Sequence, residues 1–287
     1  MFGFVGQNIF LKLKTKHEVL GIGRKRKNSN IKKSKWVIDQ TISKLSLIKT
    51  NFMPDVIIHC AGSGSVSKSF ENKKLDYEKN INTTKEIIKF IKYLKKKPKI
   101  VMFSSAAVYG NSCHKNKKKL IPISPYGKNK LLAENILQES SKKINFKLTI
   151  LRFYSIYGKG LKKQLIWDAC KKIKYNKNNF FGCGNEIRSW INIKDVVSFT
   201  EFLIKKNIKK NNVLDVSGND IVENKILLSK LFILFKFNKN PNFNNQHKIG
   251  DPVKQIFNNT KLKNFGWNPK VNLSQGLKEY IIWFKKK

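Results

Sequence analysis

Three short apolar runs constrain this chain more than anything else in it. They are Asp55-Val56-Ile57-Ile58-His59-Cys60-Ala61-Gly62, Lys99-Ile100-Val101-Met102-Phe103-Ser104-Ser105 and the stretch from Lys147 to Phe153. Each is largely apolar throughout instead of alternating with polar residues, the pattern of a strand buried on both faces. Between the first two, Ile87, Ile88, Ile91 and Leu94 fall on one face of a helix over 81–94. After the second, Leu131, Leu132, Ile136 and Leu137 repeat that spacing. Strands alternating with helices predict an α/β fold with a doubly wound parallel sheet, whose ligand lies beyond the carboxyl ends of the strands. Gly62-Ser63-Gly64, Ser104-Ser105 and Tyr154-Ser155 occupy those ends.

The amino-terminal part continues the rhythm with shorter elements. Met1 to Phe10 reads as a glycine-containing turn entering a helix, Val19 to Gly23 as a strand ending at Arg24, and Trp36 to Asp39 as another. A dinucleotide-binding unit runs strand, G-x-x-G-x-x-G, helix, strand, because glycines let the backbone approach a pyrophosphate at the helix N-terminus. Gly3 and Gly6 fit the second and third glycines; the first, and the strand before it, would fall upstream of Met1. The expectation is therefore a sheet without its first strand, which in this fold lies centrally. Beyond Tyr154 the elements shorten, and Lys/Asn-rich segments at 171–179 and 238–248 read as solvated loops.

The stretch Ser124-Pro125-Tyr126-Gly127-Lys128-Asn129-Lys130 opens the second helix, with Pro125 suited to its first turn. Tyr126 and Lys130, four residues apart, share a helical face. An ammonium beside a phenol favours the phenolate, so Tyr126 is expected to titrate below the usual tyrosine value and to exchange protons with a substrate hydroxyl or carbonyl.

The net charge of +41 raises the question of a polyanion partner. Only four of the 59 basic residues are Arg (Arg24, Arg26, Arg152, Arg188), whereas base readout and phosphate forks rely on arginine. Lysine is spread over almost every polar face, so no specific nucleic-acid partner is expected. Cys60, Cys113, Cys170 and Cys183 have neither paired nor metal-ligand spacing, which fits a reducing cytoplasm and no metal site. The longest apolar run, 226–237, is interrupted by Ser229, Lys230 and Lys236 and is too short to span a bilayer, so no membrane partner is expected.

With these residues in view, the chain resembles the extended short-chain dehydrogenase/reductases, and within them the NAD-dependent epimerase/dehydratase family of nucleotide-sugar enzymes that includes the UDP-glucose 4-epimerases. Gly3 to Gly6, His59-Cys60-Ala61-Gly62, Asn80 to Thr84, Ser104-Ser105-Ala106-Ala107-Val108-Tyr109-Gly110, Tyr126 to Lys130, Leu151 to Gly158 and Arg188 to Val197 match its motifs in order. The resemblance implies a Rossmann-like dinucleotide-binding domain over 1–155. It implies a mainly substrate-binding region over 156–287, some segments of which return to the Rossmann core. It also implies a homodimer.

The resemblance assigns roles residue by residue. Tyr126 would be the acid/base, Lys130 would hold the nicotinamide ribose, and Ser105 would orient the reacting oxygen. Gly3, Gly6, Asp39, Ala61 and Gly62 would line the NAD or NADP(H) site. Asn80, Ser155, Arg188 and Lys248 would face a nucleotide-diphosphate sugar, Lys248 standing where arginine is usual. Ala106 and Ala107 replace the Asp-Glu of the dehydratases, which argues against water elimination. Arg24 stands where an acidic residue usually grips the ribose of NAD, which tilts the cofactor toward NADP(H). Three readings stay open: a nucleotide-sugar epimerase, an NADPH-dependent reductase of a keto-sugar nucleotide, and a non-catalytic relative or basic binding module using the same scaffold.

Overall fold

The computed structural model describes residues 2–23, 37–38, 52–112, 119–206, 208, 210–257 and 260–287. Arg24, Asp39 and Cys113 lie outside these residues. The chain opens with α1 (Phe4–Leu13), followed by β1 (Gly21–Ile22), β2 (Val37–Ile38) and β3 (Val56–His59). Two short helices, α2 (Val66–Glu71) and α3 (Lys73–Tyr77), lead through a π-helical turn at Glu78–Asn82 into α4 (Thr83–Tyr93). Next come β4 (Lys99–Ser105), α5 (Pro125–Ile144), β5 (Leu148–Phe153), β6 (Ser155–Tyr157) and α6 (Gln164–Lys174). The remainder runs β7 (Asn179–Phe180), β8 (Ile187–Asn192), α7 (Ile193–Lys205), β9 (Asn212–Val216), β10 (Asp220–Glu223) and α8 (Asn224–Phe235). It closes with β11 (Asn242–Phe243), β12 (Lys254–Gln255), α9 (Thr260–Asn264) and α10 (Leu273–Lys285).

The main sheet has the order β3-β4-β5-β9, parallel throughout. Helices cover both faces, as a parallel sheet requires. On one face Ile9 and Leu13 of α1 and Val196 and Phe199 of α7 meet Val101, Phe103, Leu151 and Phe153. On the other, Ile87 and Ile91 of α4 and Leu137 of α5 meet Ile100, Met102, Leu148 and Ile150. This is the doubly wound α/β architecture that the apolar runs predict. The later half of the chain contributes to it through β9, α7 and α9. That half also builds a second core of its own, in which Leu227, Leu231, Leu277 and Tyr280 of α8 and α10 pack on Trp190 of β8. There β8 is flanked by β10 and β12, with β6 also paired to it.

The sheet is divided on the amino-terminal side. β1 pairs only with β2, in parallel, and no described strand bridges β1 and β3. Ile22 of β1 and Ile57 of β3 nevertheless pack against the same apolar layer beneath α4 and α5. Val56, Ile57 and Ile58 are only half-buried, whereas β5 is buried along its whole length. A strand with a single hydrogen-bonded neighbour leaves its other edge, and part of its side-chain surface, to solvent.

One expectation from the sequence fails in this region of the fold. The Lys-rich segment from 171 is not all loop, because α6 continues to Lys174. Lys171, Lys172 and Lys174 occupy its last turn, where cations complement the helix dipole. The segment 238–248 is mostly loop, with only Asn242 and Phe243 in a strand.

Candidate active site

The site is built at the carboxyl ends of β3 and β4 against the start of α5. The Ser124 hydroxyl caps that helix by accepting from the Gly127 backbone N–H at 3.1 Å, and Pro125 fills the first turn. The Ser69 hydroxyl of α2 accepts from the Tyr126 N–H at 3.1 Å, so a second element fixes the helix entry. Gly127 has a steric reason: a Cβ there would lie 2.5 Å from the Ala107 carbonyl oxygen. Helix and strand end therefore approach more closely than any other residue allows.

The structure brings Ser105, Tyr126 and Lys130 together. Ser105 acts on the Tyr126 phenol in favour of its ionised form, and Ser105 Oγ accepts from the Ala107 N–H at 3.2 Å. Lys130 is buried and donates from Nζ to the Phe103 carbonyl at 3.0 Å. Burial pulls its pKa down to about 8, against the charges of Asp76, Cys60 and Glu134, which raise it. The expected lowering of Tyr126 is not found. Loss of solvent pushes its phenol above the usual tyrosine value, Ser105 opposes this, and Asp76 adds to it. The physical reason is that Lys130 turns its ammonium to a strand carbonyl and is not among the groups that act on the phenol.

Around this trio lies a set of buried polar groups. His59, at the end of β3, contacts Thr84 Oγ1 through Nε2 at 3.0 Å, and Thr84 Oγ1 donates to the Asn80 carbonyl at 2.7 Å. The threonine proton is thus committed, so His59 carries its own on Nε2 and leaves Nδ1 bare. Nδ1 has no partner, and burial together with the Lys130 charge lowers the imidazole to about 3, keeping it neutral. Asn80 donates from Nδ2 to the Asp76 carbonyl at 2.9 Å and to Asp76 Oδ2 at 3.2 Å, leaving Asn80 Oδ1 buried and unpartnered. That oxygen and Lys130 Nζ flank Gly62, whose φ is +139°; a Cβ there would sit 2.6 Å from the oxygen and 3.3 Å from the ammonium.

A dinucleotide fits the residues present at one end. Gly3 is the extended N-cap of α1, with no side-chain cap and nothing within 4 Å of a would-be Cβ, so no side chain covers a helix N-terminus of the kind that accepts an anion. Gly6 is buried within the same helix. Gly62, with Ala61 beside it, carries backbone past Lys130 and the unpartnered Asn80 oxygen, a surround suited to a ribose and a carboxamide. Arg24 and Asp39, expected at the adenine end, are outside the described residues.

Of the expected substrate residues, Asn80 lies beside Lys130 and Gly62, and the other three sit on later elements. Arg188 of β8 is buried, pairs with Asp251 at 3.0 Å, and donates to the Ile187 and Val253 carbonyls at 2.9 and 3.1 Å. Lys248 lies over the exposed ring of Phe181, 5.0 Å from its centroid. Ser155 begins β6, directly after the end of β5. Sequence reasoning missed Asp76 and the buried ion pair behind the site. Asp76 precedes Asn80 by four residues, and Glu134 follows Lys130 by four, so helical spacing held a signal for each. Arg152 reaches Glu134 with Nη2 to Oε2 at 2.6 Å and Nε to Oε1 at 3.1 Å, and donates from Nη1 to Tyr109 at 2.9 Å. Among the described residues no group of three or more His, Cys, Asp or Glu could hold a metal ion.

Comparison with known proteins places this geometry. The NAD dependent epimerase/dehydratase family matches residues 1–217. The UDP-glucuronate 4-epimerase of Thermodesulfobacterium geofontis is 24% identical over 307 residues, covering 99% of this chain and 94% of that protein. The UDP-glucose 4-epimerase of Thermotoga maritima, solved with UDP-glucose, superposes with a TM-score of 0.87 at 24% identity, covering 99% of this chain and 96% of that one. The UDP-glucuronic acid 4-epimerase of Bacillus cereus, solved with UDP-glucuronic acid and NAD, gives 0.86 at 23% identity with the same coverage. At these identities the structures establish the shared fold. With the family match over most of its length, the chain belongs to the NAD-dependent epimerase/dehydratase family, enzymes of the extended short-chain dehydrogenase/reductase type.

Proposed function

We propose that this chain is a nucleotide-sugar 4-epimerase using NAD, in which Ser105, Tyr126 and Lys130 do the proton chemistry. The observation that carries the reading is a buried Lys130, bonded to the Phe103 carbonyl beside Gly62, one helical turn from a Tyr126 phenol on which Ser105 acts. NAD, held by the residues at the start of α1 and around Gly62, would supply reversible hydride transfer at the sugar carbon. Tyr126 takes the proton of the sugar hydroxyl and gives it back, so the step is neutral overall. Ser105 holds the oxygen that changes between hydroxyl and ketone. Lys130, its ammonium beside Gly62, would hold the ribose. Arg188 offers planar donors to a diphosphate, its guanidinium already oriented by Asp251 and two carbonyls. Lys248 supplies a second charge from its place over Phe181.

Two further features support an epimerase over its relatives. Ala106 and Ala107 are buried and have no acid or base with which to eliminate water. Relatives of matching length include proteins named as UDP-sugar 4-epimerases. Leu132 on α5 and Tyr93 at the end of α4 are exposed apolar groups on adjoining helices, and we assign that face to a homodimer. No described helix is long and apolar enough to cross a membrane, and we place the enzyme in the cytoplasm.

The test is to incubate the purified chain with NAD and, in turn, UDP-glucose, UDP-glucuronate and UDP-N-acetylglucosamine, and to resolve the 4-epimers by chromatography. Interconversion without net change in NADH absorbance is expected, falling about 10²- to 10⁴-fold in Tyr126→Phe. Net NADPH consumption with a keto-sugar would replace this reading by a reductase. Wild type and Tyr126→Phe alike inert on every substrate would leave a non-catalytic scaffold.

A further inference from the structure

We propose that Asp76 is a positioning residue of this site, its buried carboxylate holding Asn80 and Asn129 in place and supplying the negative charge that faces Lys130 and Tyr126. The proposal deepens the functional reading above and rests on it for its activity arm alone. Asp76 lies on α3, a five-residue helix that packs against α5, and is almost fully buried, at 3% exposure. Carboxylates are seldom buried unless their charge is used. Among the described residues this one has no salt bridge. Its Oδ2 accepts from Asn80 at 3.2 Å and from Asn129 at 2.8 Å, while Oδ1 is buried with no partner.

Both amides it holds belong to the site. Asn129 is the neighbour of Lys130 on α5, so its bond to Asp76 ties the turn between Tyr126 and Lys130 to α3. Asn80 is fixed with its own Oδ1 turned toward Gly62 and Lys130. An amide can be held either way round, and Asp76, having no proton to give, settles which. A carboxylate requires Nδ2 of Asn80 and of Asn129 to point at it, which is what presents the Asn80 oxygen to the ammonium.

The charge acts as well as the hydrogen bonds. Asp76 is the largest of the influences keeping the proton on buried Lys130, ahead of Cys60 and Glu134. It also raises the phenol of Tyr126. The groups facing Lys130 are Asp76 from α3, Glu134 and Tyr126 along α5, and His59 and Cys60 from the end of β3. Of these His59 is neutral, and the Cys60 thiol is pushed up by burial. Glu134 is already paired with Arg152. That leaves Asp76 as the negative charge among them not matched by a salt bridge.

The experiment is Asp76→Asn, which keeps an oxygen for both amides and removes the charge. Lys130 is titrated in the intact chain by competitive acetylation over a pH series, with its peptide resolved by mass spectrometry. The expected result is a wild-type midpoint near 8, moved to lower pH in Asp76→Asn and restored in part by Asp76→Glu. In turnover, kcat should fall about tenfold or more with KM within about twofold. The whole pH–rate profile should move to lower pH, because phenol and ammonium both lose a proton more easily. Loss of structure alone moves neither midpoint in that manner. If Asp76→Asn fails to fold, Asn129→Ala loosens the same carboxylate and should displace the Lys130 midpoint in the same direction by less. An unchanged Lys130 midpoint in a folded variant overturns the proposal. A wild type without epimerase activity overturns the functional reading while the labelling result still decides the role of Asp76.

Discussion

The two sides of the parallel sheet are built differently. On the β4-β5-β9 side each inner strand has two neighbours, the apolar residues are buried, and a charged network ties helix to strand ends. Arg152 of β5 grips Glu134 of α5 with two nitrogens and holds Tyr109, whose hydroxyl donates to Asp215 of β9 at 2.8 Å. Ser104 of β4 donates to the same glutamate. On the β3 side the strand has one neighbour among the described residues, its valine and isoleucines are half-buried, and β1 with β2 stands as a separate pair. The proton-handling residues grow from the first side. Of the residues expected to carry a dinucleotide, Gly3 and Gly6 belong to α1, which packs on β4 and β5, and Arg24 and Asp39 lie outside the described residues. Rigidity is thus concentrated where a reacting oxygen must be placed to a fraction of an ångström.

Removing one member of the ion pair gives the sharpest measure of the well-tied side. Glu134→Ala leaves a buried guanidinium without its carboxylate, and the charge on Arg152 is strongly favoured where it sits. The expected loss is about 3–5 kcal/mol in urea denaturation, with Tyr126 and Lys130 displaced because they share a helix with Glu134. A loss under about 1 kcal/mol would mean that this network does not distinguish the two sides.

A matched pair of truncations compares the strands directly. Ile150 of β5 and Ile57 of β3 contact the same apolar layer, the first fully buried and the second partly. Ile150→Ala should cost about 2–5 kcal/mol, a transfer cost plus a cavity. Ile57→Ala, already half in water and free to relax at an open edge, should cost about 1 kcal/mol. Equal costs would show that β3 is as tightly enclosed as β5.

What was legible in the sequence follows the same division. β4 begins and ends where its apolar run does, because burial on both faces leaves a continuous signal with polar residues at either end. The Tyr126–Lys130 spacing was legible because helical periodicity is local. The ion pair was not: Arg152 and Glu134 are joined across a helix–strand crossing, and nothing near either residue states which partner it will find. The titration of Tyr126 was misread for a related reason. Spacing placed the ammonium on the correct face, but whether it turns to the phenol or to the Phe103 carbonyl is decided by a strand distant in sequence. The end of α6 was misread because lysines that look like a solvated loop also suit a helix C-terminus.

His59 stands on the boundary between the two sides, and its acid titration gives the smallest but cleanest comparison. It is neutral and buried, with a pKa lowered from 6.5 to about 3. Between those values the unfolded chain takes up a proton that the folded chain refuses. Stability is therefore intact above 6.5 and is lost as pH falls toward 3. One pH unit into that window the loss is about 1.4 kcal/mol. In His59→Gln, which keeps a donor for Thr84 and has no such titration, the stability difference from wild type should shrink by about 1 kcal/mol between pH 6.5 and 5.5. Urea midpoints measured in parallel for both proteins isolate this contribution from the carboxylates they share. Parallel curves would mean that the end of β3 admits enough water to charge the imidazole, and that the loosely built side of the sheet reaches as far as Lys130.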